Sequence, residues 1–520
     1  MKNGMRTSIS ILLLLLVPIF LISCSGDSKT SSMSSTSAVR PPSQPVNVVA
    51  RGADSLIKLA WDPPVGATSY NLYWNMTGGV TASSNRVLNV SMPFSHLDRT
   101  NGTTYYYRVS AMNVAGESAL SVEVRATPLL PFTKILTKLM DPDAEQGDQF
   151  GYSVDIDGDY AIVGAWQSSG LDPNNPIPYA GAAYIFHRSG TGIWDPAGAK
   201  LMAPDASSWD LFGYSVSISG DYAIVSAKHK DAVGAAYIFH RIGVNTWDAG
   251  TKIVGPDPAA SLKFGSAVSI SGDYAVVGDE EQGRVFVFHR TDTNTWDSGT
   301  PLPMPPDTDV TDRFGYAVAI SGDYVIVGAW GEDSDASNSL PQAGAAYIFH
   351  RIEDSWAQFS KIMPHDGAEG DCFGISVAIS GDYAVVGAVQ QDDDSGAVYV
   401  FHRLDENFWD EGPKLVAPDA QAGDSFGLSV AITDKYVLVG AYAEDCGWDE
   451  NHGEGAAYIY ERIGSNSWDG GTKITIPQGD PGDGFGFAVA ISGESAIIAA
   501  IGDDCDEVNE VPEAGAVYLY

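Results

Sequence analysis

The residues whose side chains are the clearest candidates for ligand chemistry are carboxylates, which cluster between apolar runs in the C-terminal half of the chain. The candidate ligands in these clusters are Asp333, Asp335, Asp392, Asp393, Asp394, Asp445, Asp503 and Asp504. Calcium takes about six to eight oxygen ligands, so acidic loops of this kind are candidate Ca²⁺ sites. No shared register with a central glycine connects the clusters, and solvated acidic loops are the alternative interpretation.

Aromatic residues recur at matching positions in successive segments of the same region. The tryptophans are Trp194, Trp247, Trp296, Trp356, Trp409 and Trp468. Such rings pack in cores, and they also stack on sugars in binding proteins, so both roles are open. The histidines recur in the same way at His187, His240, His289, His350 and His402. With one histidine per segment they are too far apart to share a metal, and structural roles are expected.

Two cysteines occupy corresponding positions near the end of the chain. Cys446 and Cys505 each follow two acidic residues, and a disulfide between them is compatible with an oxidising compartment. Cys372 precedes a Phe-Gly pair and is expected to be free.

Motifs of catalysis are missing from the sequence. There is no nucleophile paired with a base, no glycine-rich phosphate loop and no paired metal-ligand motif. The sequence therefore predicts a protein that is not an enzyme, and a hydrolase is the least favoured of the functions considered.

The N-terminus has the features of an export signal. Lys2 and Arg6 precede an apolar run that ends in Leu21-Ile22-Ser23-Cys24. These last residues resemble the lipobox of bacterial lipoproteins, which implies a signal peptide over 1–23, a lipid on Cys24 and anchoring in an outer membrane or at the cell surface. Residues 24–44 are rich in serine and threonine, which is typical of a flexible tether.

Composition favours an all-β protein and excludes one class of partner. Glycine, valine, isoleucine, tyrosine and phenylalanine are abundant, as in strands joined by tight turns. The formal net charge of -37 repels phosphate backbones, so nucleic acid is not an expected partner.

Residues 45–128 predict a small β-sandwich of about seven strands. Trp61 lies in a Leu-x-Trp strand, Tyr105 has the position of a tyrosine corner, and Arg108-Val109-Ser110-Ala111 leads to Gly116. These residues resemble a fibronectin type III module, for which a spacer role is expected.

Residues 132–520 contain a repeat that begins with a Phe-Gly pair. The pairs start at Phe150, Phe212, Phe264, Phe314, Phe373, Phe426 and Phe485. Each repeat predicts four antiparallel strands, with a Gly-Asp turn between the first two in most repeats, which is the pattern of a propeller blade. The last repeat lacks its fourth strand, while residues 137–140 resemble one. We therefore predict a seven-bladed β-propeller that is closed by pairing of the two ends.

The Phe-Gly openings and the Gly-Ala pairs at Gly164, Gly328, Gly387 and Gly440 resemble FG-GAP repeats, the blades of integrin α-subunit propellers and bacterial surface proteins. The family's proline after Gly-Ala is replaced by Trp166, Trp330, Val389 and Tyr442, and its calcium loop is reduced to Ser-Gly-Asp. The resemblance implies a monomeric cell-surface binding or adhesion protein that recognises an extracellular protein or other ligand through the loops at one rim. A propeller lectin that binds glycans is the alternative.

Overall fold

The computed structural model describes residues 40–53, 56–100, 103–128, 137–169, 177–190, 192–257, 263–333, 340–353, 355–405, 408–444, 453–476, 479–504 and 512–520. The chain forms two compact units that divide after Leu129. Cys24, Asp335, Asp445, Cys446 and Cys505 lie outside the described residues. No helix within the described residues is long and apolar enough to cross a membrane.

The N-terminal unit is a sandwich of two antiparallel sheets. One sheet contains Val46–Ala53, Leu56–Asp62 and Phe94–His96, and the other contains Ser69–Asn75, Asn85–Val90, Tyr105–Asn113, Gly116–Glu117 and Val124–Ala126. Trp61 and Tyr105 are buried between the sheets. The Tyr105 hydroxyl accepts a hydrogen bond from the Thr100 amide at 3.1 Å, a backbone contact of the kind expected at a tyrosine corner.

The C-terminal unit consists of seven antiparallel sheets, numbered here as blades 1 to 7 in chain order. Blade 1 contains Ser153–Asp157, Tyr160–Ala165, Ala182–Gly190, Ile193–Trp194 and Ala199–Leu201. Blade 2 contains Phe212–Ser219, Tyr222–Ala227, Ala235–Gly243, Thr246–Trp247 and Thr251–Ile253. Blade 3 contains Phe264–Ser271, Tyr274–Asp279, Arg284–Asp292, Thr295–Trp296 and Thr300–Pro301.

The remaining blades follow the same order. Blade 4 contains Ala317–Ser321, Tyr324–Ala329, Ala345–Ile352 and Ser355–Ile362. Blade 5 contains Phe373–Ser380, Tyr383–Ala388, Ala397–Asp405 and Phe408–Leu415. Blade 6 contains Ser429–Ile432, Tyr436–Ala441, Ala456–Gly464, Ser467–Trp468 and Thr472–Ile474. Blade 7 contains Phe485–Ser492, Ser495–Ala500, Ala516–Leu519 and Thr137–Met140. Short helical turns occupy Lys230–Ala232, Val310–Asp312 and Gln391–Asp394.

Blade 7 confirms the predicted closure of the ring. Its outer strand, Thr137–Met140, comes from the N-terminal end of the unit and pairs antiparallel with the last strand of the chain. Leu139 lies opposite Val517 and is buried in the cluster between blades 7 and 1. The two ends of the repeat region thus share one sheet.

The Phe-Gly and Gly-Ala pairs have a packing function between blades. Phe212 is fully buried, and a Cβ on Gly213 would lie 2.2 Å from the Ala182 carbonyl oxygen of blade 1. A Cβ on Gly164 would lie 2.0 Å from the Gly213 carbonyl oxygen. Glycine is therefore needed where the backbones of two blades meet.

Candidate functional site

One end of the propeller carries the variable loops. The first strand of each blade begins there, and the loop after the second strand ends there. Parallel bridges tie the end of that loop to the next blade's Phe-Gly segment, as in Gly181 with Phe212 and Gly344 with Phe373. This end, called the rim below, therefore combines the loops that follow the second strands with the loops that join successive blades.

Aromatic side chains line the inner part of the rim. They follow either the Phe-Gly pair or the second strand, and all are partly exposed; we call them the aromatic collar, consisting of Tyr152, Trp166, Tyr214, Tyr316, Trp330, Tyr442 and Phe487. Ring centroids of Tyr152 lie 5.1 Å from Tyr214 and 5.3 Å from Phe487, which belong to the two neighbouring blades. Aromatic contacts thus run across blades 6, 7, 1 and 2, whereas Tyr316 and Trp330 pack against each other within blade 4.

A cation already rests on one face of the collar. Lys228 Nζ lies 4.1 Å from the ring centroid of Tyr214 and 2.9 Å from its hydroxyl oxygen. The same ammonium group forms a buried ion pair of 3.0 Å with Glu280. Aromatic faces attract cations through their quadrupole, so the collar has the chemistry to receive a cationic group.

The polar atoms of the collar remain hydrogen-bond donors at neutral pH. Burial raises the pKa of Tyr316 to about 12, and it also raises the pKa of Tyr152 and Tyr214. Trp166 Nε1 donates to Gln149 Oε1 at 2.7 Å. Trp330 Nε1 is a buried donor without a hydrogen-bond partner among the described residues.

An axial cavity of about 460 Å³ is lined by the first strands of all seven blades. Asp155 is a charged residue in this lining, and its carboxylate accepts hydrogen bonds from the Ser217 hydroxyl and the Ile218 amide, each at 2.8 Å. Burial raises the pKa of Asp155 to about 6, although these bonds oppose the shift. The carboxylate therefore joins blades 1 and 2 at the axis.

The predicted calcium ligands that the structure describes have other partners. Asp392 pairs with Lys414 at 2.9 Å, and Asp503 pairs with Lys138 at 2.7 Å while accepting from the Tyr518 hydroxyl. The carboxylates of Asp333 and Asp504 accept backbone hydrogen bonds, and Asp394 is exposed. Nothing is described of the Asp393 side chain. Among the described residues, no group of three or more acidic, histidine or cysteine side chains is arranged to hold a metal ion.

These pairs belong to a cluster that recurs on the rim side of the blades. A fourth-strand lysine lies over a third-strand tyrosine and binds loop carboxylates; Lys361, for example, contacts Glu332 at 2.7 Å and Asp307 at 2.8 Å. In blade 2, burial opposes the ionisation of Asp205, but the hydrogen bonds from Lys252 and Tyr237 lower its pKa to about 2. The loop carboxylates that make these contacts are thus neutralised by lysines of the fold.

The recurrent tryptophans lie at the end opposite the rim. Trp194, Trp247, Trp409 and Trp468 are buried, while Trp296 and Trp356 are partly buried. Five of them pack edge-on against a tyrosine of the preceding blade, as Trp409 does against Tyr324 at 6.0 Å. The four buried rings have no open face for a sugar, which removes the geometric basis for stacking at those positions. Cys372 is a free, buried cysteine.

The aromatic collar and Trp209 were not predicted from the sequence. Trp166, Trp330 and Tyr442 were noted as departures from the repeat but received no role, and Trp209 was not singled out. A position-by-position comparison of the seven repeats finds them. The position after the second strand is aromatic in three repeats and lysine, glutamate, valine or isoleucine in the others, and Trp209 replaces a recurrent glycine. Regular residues build blades, whereas these irregular ones are free to form a site.

Comparison with known proteins agrees with the geometry. The FG-GAP repeat family matches residues 136–186, 197–239, 247–288, 304–349, 356–401, 409–460 and 468–520. The fibronectin type III domain family matches residues 40–127.

Three individual proteins with a match to this chain each cover less than a fifth of it. The amylopullulanase of Thermoanaerobacterium saccharolyticum is 32% identical over 103 residues, which is 19% of this chain and 8% of that enzyme. An Fn3-like protein from Clostridium thermocellum is 25% identical with a TM-score of 0.16, over 17% of this chain and 93% of that protein. A structure described as "Myokine structure" is 22% identical with a TM-score of 0.15, over 17% of this chain and 98% of that protein.

Proposed function

The chain belongs to the FG-GAP repeat family, and from this membership we propose that it is a non-enzymatic binding protein of the adhesion type. Its ligand is an extracellular protein held on the rim, with the aromatic collar at the centre of the contact. The collar is the observation that supports this proposal most directly. Partly exposed tyrosines and tryptophans in a fixed scaffold are the residues that dominate the energy of protein interfaces.

Charge adds a constraint on the partner. The chain has a formal net charge of -37, so a basic protein surface is attracted at long range. At short range, a basic side chain is favoured on the aromatic faces of the collar, in the way that Lys228 lies over Tyr214. The best ligand is therefore a protein with a protruding basic segment.

The anchor is a separate part of the proposal. A lipid on Cys24 attaches the chain to an outer membrane or cell surface, and residues 24–44 together with the fibronectin-like module serve as tether and spacer. Replacement by Cys24→Ala is expected to move the protein from the membrane fraction to the soluble fraction and to abolish incorporation of labelled palmitate. Membrane retention of the variant with unchanged labelling would contradict the anchor.

The binding test uses capture of surface proteins from cells that produce the chain. Wild-type protein is expected to retain a defined partner, and Trp330→Ala or Phe487→Ala is expected to lose it. Phe408→Ala is the matched control, because Phe408 is an exposed aromatic residue of blade 5 at the end of the propeller opposite the rim. Equal capture by all variants would exclude the collar as the contact.

Calcium enters the same test as a second variable. We propose Ca²⁺ binding only for the acidic loops, of which Asp335 and Asp445 lie outside the described residues. If those loops hold Ca²⁺, chelation lowers the melting temperature or the capture of the partner. If chelation changes neither, the calcium proposal is wrong while the collar proposal stands.

A further inference from the structure

Trp209 occupies a position where four of the six other repeats have glycine. Three residues before the Phe of the Phe-Gly pair, the rim loops carry Gly147, Gly370, Gly423 and Gly482, with φ values of 78°, 85°, 93° and 106°. Trp209 adopts the same left-handed conformation with a φ of 69°. A Cβ at each of the four glycines would meet no atom within 4 Å, so a side chain at this position projects from the loop into open space.

The fold gains little from a tryptophan at this position. A bulky residue in the left-handed region costs roughly 1 kcal/mol relative to glycine. Trp209 is 58% exposed, so core packing does not offset that cost. Strained, exposed residues of this kind are concentrated at binding sites, and the substitution of glycine by tryptophan therefore points to a ligand.

The indole is held as a rigid platform. Tyr179 stacks on it with ring centroids 4.1 Å apart and an interplanar angle of 22°. The Trp209 amide donates to the Pro178 carbonyl at 3.0 Å, and the Leu211 amide donates to the Tyr179 carbonyl at 3.2 Å. Two rim loops thus fix the two rings against each other, and the tyrosine covers one face of the indole.

A polar pocket of about 520 Å³ lies beside this platform. Its lining includes Ser207, Ser208, His229, Asp231 and Lys263 together with Trp209. Pockets of about 300 to 1,000 Å³ hold small organic ligands. Hydroxyl, imidazole, carboxylate and ammonium groups therefore converge next to a flat apolar surface.

The charges of this pocket are balanced within the protein. Asp231 pairs with Lys252 at 2.9 Å, and Lys263 pairs with Glu281 at 2.6 Å. Burial lowers the pKa of His229, and Lys228 and Lys263 lower it further against an opposing effect of Glu281, which favours the neutral imidazole. The pocket has no surplus charge for an anion or a cation, but it has many donors and acceptors.

We propose that Trp209 and this pocket form a saccharide-binding site for a neutral glycan. One pyranose ring packs its C–H face on the indole, and its hydroxyls bond to Ser208, His229 and Asp231. An aromatic platform beside paired polar groups matches a molecule that has an apolar face and a hydroxyl-rich edge. This site differs in position and residues from the aromatic collar and from the recurrent tryptophans, and it adds glycan binding to a protein-binding propeller.

The test is a calorimetric titration of the full chain with five neutral oligosaccharides: maltohexaose, cellohexaose, xylohexaose, mannohexaose and chitohexaose. Wild-type protein is expected to bind at least one of them with a Kd of about 1 mM or lower. Trp209→Gly is expected to weaken that binding at least about tenfold, because it removes the stacking surface. Trp209→Phe keeps a smaller ring and is expected to retain part of the affinity.

Folding and binding are separable at this position. Trp209→Gly restores the residue that other repeats carry, so its melting temperature is expected to equal or exceed that of the wild type. Phe408→Ala removes an exposed aromatic residue elsewhere and is expected to bind the saccharide normally. The proposal is overturned if the wild type binds none of the five oligosaccharides, or if Trp209→Gly binds as tightly as the wild type.

Discussion

Tyr324 contacts three residue types that recur through the repeats. Its ring stacks on His350 of the same blade with centroids 4.3 Å apart, and Trp409 of blade 5 meets it edge-on. The Arg403 guanidinium donates to its hydroxyl at 2.6 Å and lies 4.3 Å from its ring centroid. Similar contacts recur in other blades, so the recurrent arginines and tryptophans hold neighbouring blades together, while the recurrent histidines stack on a tyrosine within their own blade.

Tyr324→Ala is expected to reduce the free energy of unfolding by about 3 kcal/mol, because a large ring is lost between two blades. Tyr324→Phe is expected to cost only about 1 kcal/mol, since it removes the hydrogen bond from Arg403 but keeps the packing. Urea denaturation followed by circular dichroism measures both. Equal costs for the two variants would mean that the hydroxyl, and not the ring, joins the blades.

Asp155 is expected to make stability depend on pH. Burial raises its pKa in the folded state to about 6 from an ordinary value of 3.8. The folded state therefore binds this proton more tightly than the unfolded state does. The contribution of protonated Asp155 to the free energy of unfolding is complete below about pH 4 and is lost as the pH rises through about 6. In the Asp155→Asn variant the side chain at this position does not ionise but keeps an acceptor oxygen. The free energy of unfolding of the variant should therefore fall less than that of the wild type between pH 5 and pH 8.

Urea denaturation at the two pH values measures this difference. Other buried carboxylates, such as Asp148 with a pKa raised by burial to about 6, titrate in both proteins and cancel in the comparison. An identical pH dependence in wild type and variant would show that Asp155 does not titrate in this range.

At the scale of the element, the inner strands are connected by side chains instead of a backbone ladder. The Ile270 amide donates to Ser217 Oγ of blade 2, and the Ile320 amide donates to Ser269 Oγ of blade 3, each at 3.2 Å. Asp155 accepts the equivalent bond from Ile218 at the junction of blades 1 and 2. Small polar residues at one strand position thus satisfy backbone donors near the axis.

Closure of the ring makes one strand critical. Leu139 is 2% exposed, so Leu139→Ala is expected to cost about 2 to 5 kcal/mol through the cavity it leaves. Met140→Ala on the same strand is the control, since Met140 is 40% exposed and a change of about 0.5 kcal/mol or less is expected. Urea denaturation compares the two variants.

Deletion of residues 132–141 tests the same strand as a unit. It leaves Ala516–Leu519 as an open edge, and open edges pair with other chains, so aggregation is expected in light scattering. A monomeric deletion variant with an unchanged melting temperature would show that the strand is dispensable.

The sequence predicted the blades because every repeat must meet the same packing requirement. Phe212 and Gly213 recur in type for that reason, and the missing fourth strand of the last repeat indicated where Thr137–Met140 pairs. The collar has no such period: its position holds Tyr152 in blade 1 but Ser266 in blade 3 and Leu428 in blade 6. A surface that forms where unlike residues from several blades meet is indicated by departures from the repeat, and not by the repeated residues themselves.

For the whole molecule, the acidic charge sets the electrostatic behaviour. The chain has 66 acidic residues against 29 lysines and arginines, and many of those cations already pair with acids across strands and blades. The surplus is therefore negative. Self-repulsion of this kind weakens the compact state at low ionic strength.

The melting temperature is expected to rise by a few degrees when NaCl increases from about 10 mM to about 0.5 M, because screening shortens from about 30 Å to under 10 Å. A decrease of the melting temperature would mean that the surface ion pairs stabilise the fold by more than the net charge repulsion destabilises it. Repeating the measurement with CaCl2 at equal ionic strength separates general screening from specific binding. A larger rise of the melting temperature in CaCl2 than in NaCl would indicate that Ca²⁺ binds the acidic loops. Equal rises would indicate that those loops are solvated surface, which leaves the aromatic collar as the proposed ligand contact.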